Sequence, residues 1–501
     1  MKNKNTDSLF TGRKPAETGL AFFVFFLPLT LIAALVLAIN DGHFIYTLDD
    51  PYIHIELAKN IYNGVYGINP NEFSAPSSSI LWPFLIAPFS ILGKSIAYVP
   101  LFLNVVFSFL TFTIISRMLD GTARQYKAAI LIGWFMATNF YGLVFNGMEH
   151  CLQVFLTSVI AISVIKREFK GELATSLPVY LALFFLPLVR YEGLAISMPV
   201  LLYLFFKGER KNAIICGAAI CTAIAAFSLF LHHIGCGFLP SSIIAKSNTS
   251  GLSSVVENAV NQIHGYKRTI ILIVAMCFIF KDRKSLVFLL VTTTTLHILL
   301  GKSGWYGRYE IYWLTFIGLF FMFNCIEHMS PRNTAIIFGL LPLAYANLVY
   351  PTITTPMASA NIYNQQYRMS MIARKLDEPV AVNDLGLVAL NTDKYVLDLW
   401  GLGSLEALTL RRSEKGPAWI KGLMDRKNVR YAFVYDGWFP EKPDNWIRVA
   451  AMKLSIPRVT AAQDTVLFFA TDLESAQKLR SVIRAYDKEN PSKKFAVSYS
   501  F

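Results

Sequence analysis

The chain has 501 residues, of which 54% are hydrophobic and only 16% are charged, and its mean hydropathy is +0.44. Because soluble proteins carry about a quarter charged residues, this composition excludes an ordinary soluble protein and indicates an integral membrane protein. Much of the net charge of +13 lies in short loops between apolar runs, where it indicates membrane orientation, so we expect no nucleic-acid binding. The six cysteines show no paired short spacing, which argues against a disulfide framework or a zinc site.

The first apolar run extends from about residue 20 to 39 and follows a basic tail. We predict an uncleaved anchor whose N-terminus is cytoplasmic, because basic flanks stay inside. The outer loop at 40–95 then carries the adjacent acids Asp49 and Asp50. Paired acids raise the electrostatic energy unless a cation, a metal or a reacting group compensates them. A structural alternative is that Asp49 caps a helix beginning near Pro51.

Apolar runs alternate with short polar or basic loops as far as about residue 350. The run at 80–92 is short and contains two prolines, so we predict a re-entrant or interfacial segment there. We predict about eleven spans, at approximately 20–39, 96–116, 128–145, 151–165, 177–189, 194–206, 213–231, 269–280, 286–300, 311–325 and 334–350.

The composition changes after residue 350, where charges become frequent and apolar runs shrink to strand length. An odd number of spans places this part outside. We therefore predict a transmembrane domain at 1–350 and an extracytoplasmic α/β domain at 351–501. The predicted helices of the second domain are 361–376, 418–426 and 473–487, and the predicted strands are 379–383, 395–399, 431–435 and 465–469.

Five polar clusters interrupt the apolar region, and each falls on the outer side of this topology. Ionisable groups at membrane depth are costly and are functional candidates by default. We therefore expect the clusters to share one cavity. They are Asp49-Asp50, Asn146 to His150, Arg190 to Gly193, Phe238 to Lys246 and Gly304 to Glu310.

The side chains of these clusters fit a lipid phosphate that carries a sugar. Carboxylates supply a general base or hold a divalent cation such as Ca²⁺ or Mg²⁺. Arg190, Lys246 and Arg308 offer positive charge for a phosphate. Structural alternatives remain open: an exposed turn at Glu149-His150, a structural ion pair between Arg190 and Glu192, a solvated Lys246, and interface aromatics at Trp305 and Tyr309.

Eight short motifs occur in a recognisable order along the chain. They are Asp49-Asp50-Pro51-Tyr52-Ile53, Ala58-Lys59-Asn60, Ser79-Ile80-Leu81-Trp82, Gly147-Met148-Glu149, Arg190-Tyr191-Glu192-Gly193, Pro240-Ser241-Ser242-Ile243-Ile244-Ala245-Lys246, Trp305 with Arg308-Tyr309, and Asp398-Leu399-Trp400-Gly401-Leu402. This order resembles the GT-C glycosyltransferases, in particular the branch that contains the mycobacterial terminal arabinofuranosyltransferases. Two positions depart from the family pattern: Tyr191 replaces a proline, and the acid expected before Trp305 is absent.

The resemblance implies a GT-C-like fold and a sugar, with arabinofuranose as one candidate, carried by a polyprenyl-phosphate donor. The acceptor would be an envelope glycan, lipid or protein outside the cytoplasmic (inner) membrane of a bacterium, with the C-terminal domain periplasmic. Two other classes remain open, an O-antigen polymerase or ligase and a lipid-linked glycan flippase or transporter. A non-catalytic scaffold is a further alternative.

The resemblance also implies roles for the residues of the clusters. Asp49 would be the catalytic base, and Asp50 would orient it or bind a cation. A divalent metal, if one is used, would lie at these two acids. Arg190, Lys246 and Arg308 would hold the donor phosphate. The residues expected to bind the sugar or the acceptor are Tyr52, His54, Glu149, His150, Glu192, Trp305 and Tyr309.

Overall fold

The computed structural model describes residues 19–172, 174–246 and 252–500. As far as residue 376 the described chain is a helical bundle. Its α-helices are Leu27–Ile39, Asp50–Tyr62, Leu81–Ile86, Val99–Met118, Arg124–Ala137, Phe140–Phe145, His150–Lys170, Leu177–Val189, Leu194–Phe206, Arg210–His233, Ser241–Lys246, Leu252–Gly265, Lys267–Ile279, Lys284–Leu300, Ile311–His328, Pro331–Ala344, Ala346–Ile362 and Arg368–Leu376.

Several of these helices are long and apolar enough to cross a membrane. Within the described residues there are five, or up to seven if each of two bent helix pairs is one span. Three further apolar helices coincide with predicted spans but have 10–17 residues, fewer than the roughly 20 of a typical transmembrane helix. The figure of about eleven spans therefore stays a prediction. The five segments are Gly19–Ile39, Leu81–Met118, His150–Lys170, Arg210–His233 and Ile311–His328, and the second of them is interrupted at Gly93.

The segment that we predict to be re-entrant begins with helix Leu81–Ile86 and continues as the 3₁₀ segment Ala87–Tyr98. Gly93 within it has φ +56° and ψ −128°, a conformation that interrupts the helical path and that glycine adopts without a Cβ clash. The 20-residue helix Val99–Met118 follows. The chain thus changes its backbone path before the long apolar helix, and re-entry into a membrane stays a prediction.

The named strands of the described chain lie after residue 379 and form one six-stranded sheet in the order β2-β1-β3-β5-β4-β6. In the parallel part of the sheet, β1 pairs with β2 and with β3, and the remaining pairs are antiparallel. The carboxyl ends of the three parallel strands therefore meet at one edge. The strands are β1 (Val380–Val382), β2 (Val396–Asp398), β3 (Tyr431–Val434), β4 (Ile447–Leu454), β5 (Thr465–Ala470) and β6 (Phe495–Tyr499).

The sheet domain contains the elements that the sequence predicts, together with others that it does not. The predicted strands coincide with β1, β2, β3 and β5, and the helix Ala418–Arg426 has the predicted bounds. The final helix, Leu473–Glu489, extends two residues beyond its predicted end at 487. The predicted domain boundary at residue 350 lies inside the helix Ala346–Ile362, so the division there stays a prediction. The elements not predicted are the strands β4 and β6 and the helices Gly386–Asn391 and Leu405–Ser413.

The helix Asp50–Tyr62, called the acid helix below, lies between the bundle and the sheet domain. Tyr52 and Ile55 on one face are buried in the core of the bundle. Ile53 and Leu57 on another face are buried in the core that includes β1 and β3. Residues three and four apart share a helix face, so one short helix joins both hydrophobic cores. The start of the acid helix is thereby held at their junction.

The loop after the acid helix also contacts the sheet at its edge strand, β2. The side-chain amide of Asn69 donates from Nδ2 to the carbonyl oxygen of Val396 at 3.0 Å, and Val396 N donates to Oδ1 at 3.0 Å. One buried side chain therefore satisfies the backbone N–H and carbonyl of Val396 at the open edge of the sheet.

Candidate functional site

The acid helix begins where the sequence places it, with Asp49 at the N-cap position and Pro51 in the first turn. The Asp49 side chain nevertheless makes no capping bond to this helix. Its Oδ2 accepts a hydrogen bond from Gly386 N at 2.7 Å, and its Oδ1 accepts one from Leu387 N at 2.9 Å. The capping alternative is therefore wrong for this helix, because the carboxylate joins the first loop to the sheet domain.

Asp384 is a third acid beside this contact, and it lies in the turn after β1. Its Oδ2 accepts hydrogen bonds from Tyr435 Oη at 2.7 Å and from Gln366 Nε2 at 2.8 Å. Burial, followed by the charge of Asp384, raises the pKa of Asp49, and the backbone donors of Leu387 and Gly386 oppose this shift. Burial raises the pKa of Asp384 as well. The acids are thus held at the junction in spite of their mutual repulsion.

Asp50 points to a different partner, although it is the next residue in the chain. Its Oδ2 accepts a hydrogen bond from Arg308 Nη2 at 2.5 Å, across 258 positions of sequence. Both residues line a small cavity between the bundle and the sheet domain. The other lining residues are Ile53, His54, Pro76, Ser78, Met148, Arg190, Tyr309 and Leu402. Of the two acids, Asp50 is therefore the one at the cavity.

Arg308 is 1% exposed, and some of its buried N–H groups have no hydrogen-bond partner in the described structure. One of its amino groups, Nη2, bonds to Asp50 and also contacts Tyr309 Oη at 3.1 Å. Its Nε and Nη1 have no hydrogen-bond partner among the described residues. Because an unpaired buried donor is energetically costly, these two groups are suited to an anion that enters the cavity.

Arg190 is held by two carboxylates. Its Nη1 donates to Glu149 Oε1 at 2.7 Å, and its Nε and Nη2 donate to the two oxygens of Glu192 at 3.2 and 3.0 Å. The guanidinium also lies 5.0 Å from the centre of the Tyr309 ring. Arg190 and Glu192 thus form an ion pair, and Glu149 extends it. Arg190 lines the cavity while each of its three nitrogens donates to Glu149 or Glu192.

Glu149 and His150 do not form an exposed turn, so that alternative is wrong. Glu149 is 0% exposed and His150 is 1% exposed. In the described part of the chain, Glu149 Oε2 and both ring nitrogens of His150 lack a hydrogen-bond partner. The centre of the imidazole ring lies 6.0 Å from the centre of the Tyr309 ring, and the two rings pack edge to face. Both side chains are therefore buried polar groups next to the residues that line the cavity.

The remaining expected site residues take different positions. His54 lines the cavity, and its Nδ1 is 3.3 Å from Ser77 Oγ. Tyr52 does not line the cavity. Its ring is buried in the bundle, and its hydroxyl accepts a hydrogen bond from Tyr46 N at 3.0 Å. Trp305 is 51% exposed in a loop with φ +44° and lies outside the cavity lining. The helix Ser241–Lys246 ends at Lys246, whose side chain lies outside the described structure.

The donor set gives only weak support to a metal at Asp49 and Asp50. Asp49 already accepts two backbone N–H groups, and Asp50 is paired with a guanidinium. Among the described residues, no group of three or more His, Cys, Asp or Glu side chains is placed to hold a metal ion. The divalent cation remains an expectation, and no step of the chemistry below depends on it.

Sequence reasoning missed the contribution of the sheet domain, namely Asp384, Gly386 and Tyr435. One signal was present, since Asp384 follows a short apolar strand in an alternating α/β pattern. Ligand sites of parallel sheets lie outside the carboxyl ends of the strands, and Asp384 and Tyr435 occupy that edge. Their proximity to Asp49 depends on how the first loop docks, which no local pattern gives.

Comparison with known proteins finds a family model and solved structures that resemble this chain. Residues 360–469, less than half of the chain, match a family described as a domain of unknown function (DUF8728), and this range includes Asp384 and Gly386. The crystal structure of the Archaeoglobus fulgidus oligosaccharyltransferase in the apo form is similar over 93% of this chain and 79% of that one, with a TM-score of 0.48 and 11% identity. No curated protein sequence matches the chain. Neither similarity assigns an activity to this chain.

Proposed function

We propose that this chain is a membrane glycosyltransferase, which moves a sugar from a polyprenyl-phosphate donor to an envelope glycan, lipid or protein. The observation that carries the proposal is one cavity that joins an acid, Asp50, to two buried guanidinium groups, Arg190 and Arg308. Sugar transfer from a phosphate requires a base for the acceptor hydroxyl and positive charge for the departing phosphate. Both requirements are met around the same small space.

The reaction is a direct displacement at the anomeric carbon. The acceptor oxygen forms the new bond to this carbon as its proton passes to the Asp50 carboxylate. The bond between the anomeric carbon and the phosphate oxygen breaks, and its electron pair stays on the phosphate. Arg308 stabilises that charge through Nε and Nη1, which have no partner in the described structure. Protonation of Asp50 also weakens its pair with Arg308, so that Nη2 can turn to the phosphate.

The family resemblance implies that Asp49 is the base, whereas the contacts in the structure favour Asp50. Both oxygens of Asp49 face backbone donors of the sheet domain, and Asp49 does not line the cavity. A general base must lie within hydrogen-bond reach of the proton that it takes. In this proposal Asp50 is therefore the base, and Asp49 holds the loop that carries it.

Four other residues of the predicted site also have roles in this proposal. His54 and Tyr309 line the cavity and are placed to contact the sugar or the acceptor. Glu149 and Glu192 act through Arg190, which they orient. The orientation inferred from the basic loops, with a cytoplasmic N-terminus and a periplasmic sheet domain, puts this cavity outside the cytoplasmic membrane of a bacterium. A polyprenyl-phosphate sugar would then reach it from the outer leaflet.

The test is sugar transfer by the purified chain in lipid, supplied with a panel of synthetic polyprenyl-phosphate sugars that includes arabinofuranose. Wild type is compared with Asp50→Asn and with the control Asp444→Asn, an exposed acid of the sheet domain whose side chain is 83% accessible. We expect transfer from at least one donor by wild type and by the control. Loss of about 10²-fold or more is expected for Asp50→Asn, the usual contribution of a general base.

Two results would move the assignment to the other classes. Absence of transfer from every donor, together with binding of undecaprenyl-diphosphate glycans, would indicate the polymerase or ligase. Movement of a lipid-linked glycan across the bilayer without a new glycosidic bond would indicate a flippase. Equal transfer by Asp50→Asn and wild type would remove Asp50 as the base.

A further inference from the structure

We propose that the sheet domain sets the geometry of the catalytic base, Asp50, through Asp49, a positioning residue held by the turn at 383–387, called the docking turn below. The docking turn supplies the two backbone donors that bind the Asp49 carboxylate. This inference rests on the proposed function, since it says which residues orient Asp50, the proposed base. It adds Asp384, Gly386 and Tyr435 to the site.

Asp49 and Asp50 are neighbours at the start of the acid helix, yet their carboxylates go to partners in different parts of the fold. Asp49 reaches the docking turn, and Asp50 reaches Arg308. Successive residues of a helix are rotated by about 100° around its axis. Fixing Asp49 therefore fixes the rotation of the helix start, and with it the direction in which the Asp50 side chain leaves the backbone.

The docking turn is itself held from β3, the neighbouring parallel strand. Tyr435 follows β3, and its backbone N donates to Asn383 Oδ1 at 2.7 Å. The Tyr435 hydroxyl contacts Asp384 Oδ2 at 2.7 Å, and Gln366 Nε2 donates to the same oxygen at 2.8 Å. These bonds come from two different elements of the fold. The docking turn is therefore held in place from two sides, although it is short.

Gly386 shows how closely the two parts approach. A Cβ at this position would lie 2.2 Å from the backbone oxygen of Asp49 and 2.8 Å from its Cγ and Oδ2. Real Cβ atoms do not approach backbone oxygen to this distance, so any side chain would push the two segments apart. Glycine is therefore required by the contact with Asp49, since the backbone of Gly386 itself has no positive φ.

The test begins with hydrogen exchange in the full chain in lipid, measured by mass spectrometry on peptides that cover residues 46–56 and 384–388. Gly386→Ala is compared with Gly422→Ala, a matched control in another helix of the sheet domain. A Cβ at Gly422 would meet only the end of the flexible Arg426 side chain, at 3.4 Å. We expect faster exchange in both peptides for Gly386→Ala and wild-type exchange for the control.

The second arm of the test is kinetic and compares Asp384→Ala with Asp384→Asn. The asparagine keeps an oxygen that accepts from Gln366 and Tyr435, whereas alanine removes it. We expect kcat to fall about tenfold or more in Asp384→Ala with the donor KM unchanged, and to recover in Asp384→Asn. Because kcat is expressed per folded protein, a loss of folded protein alone would leave kcat unchanged in Asp384→Ala.

The two arms separate this inference from the proposed function. If wild type transfers no sugar, the proposed function fails, and the exchange measurement alone decides whether the docking turn holds the acid helix. If wild type is active, unchanged exchange in Gly386→Ala or an unchanged kcat in Asp384→Ala overturns the inference and leaves the function in place.

Discussion

The carboxylate of Asp49 accepts a hydrogen bond from the backbone N–H of Gly386 at 2.7 Å, although 337 positions separate the two residues. One is at the start of the acid helix and the other opens a short helix of the sheet domain. The contact makes the first loop and the sheet domain one structural unit at the cavity. Changes in either part are therefore expected to affect the same chemistry.

Replacement of Arg308 by lysine tests the role of its unused donors. Lysine keeps the charge but loses the planar fork, including the Nε and Nη1 groups that have no partner in the described structure. We expect kcat for sugar transfer to fall about 10²-fold, because single transition-state donors contribute on that scale. Arg448→Lys, at an exposed position of β4, is the control and should transfer sugar like wild type. Equal rates for Arg308→Lys and wild type would contradict the assignment of these donors to the phosphate.

Asn69 is expected to stabilise the contact between the first loop and the sheet. In Asn69→Ala the two bonds to Val396 are lost, and a buried backbone N–H and carbonyl remain without partners. We expect a loss of about 2 kcal/mol in the free energy of unfolding, measured as a lower melting temperature of the full chain in lipid. The control is Asn63→Ala, an exposed position at the end of the acid helix. A melting temperature equal to that of the control would contradict the role of Asn69.

The carboxylate of Asp398 gives a prediction for the effect of pH on stability. Burial raises the pKa of Asp398 to about 6, against the backbone donors of Gly403 and Trp400. A raised pKa means that the folded state binds the proton more tightly than the unfolded state. Its stabilising contribution is therefore complete below the ordinary pKa of about 4 and is lost as the pH rises to about 6. Two pKa units correspond to about 3 kcal/mol.

The measurement is the difference in melting temperature between wild type and Asp398→Asn from about pH 4 to pH 7. Only the wild-type side chain titrates in this range. The melting temperature of the wild type should therefore fall relative to that of the variant as the pH rises through about 6. A difference that stays constant across this range would show that Asp398 has an ordinary pKa.

Local sequence patterns predict much of the sheet domain. The helix Ala418–Arg426 has an amphipathic pattern within nine residues, and β3 and β5 are apolar runs of strand length. β4 was missed because a bulge between Arg448 and Ala450 shifts its register and disturbs the alternation of side chains. The short helix Gly386–Asn391 has only six residues, too few for a helical period to be recognised in the sequence.

The candidate site was predictable where its residues are polar groups in apolar surroundings. Asp50, Arg190 and Arg308 stand out for that reason, and the structure brings them to one cavity. The separate partners of Asp49 and Asp50 could not be predicted, since they depend on the packing of segments that are more than 250 positions apart. The burial of Tyr52 could not be predicted either, because it depends on which face of the acid helix packs against the bundle.

The most direct test of the account compares Asp50→Asn with Asp49→Asn in the same sugar-transfer assay, at saturating donor. We predict that Asp50→Asn loses about 10²-fold or more in kcat, because it removes the group that takes the acceptor proton. Asp49→Asn should retain measurable turnover, because the amide oxygen still accepts one of the two N–H groups of the docking turn. The reverse order, with Asp50→Asn active and Asp49→Asn inactive, would contradict the assignment of Asp50 as the base.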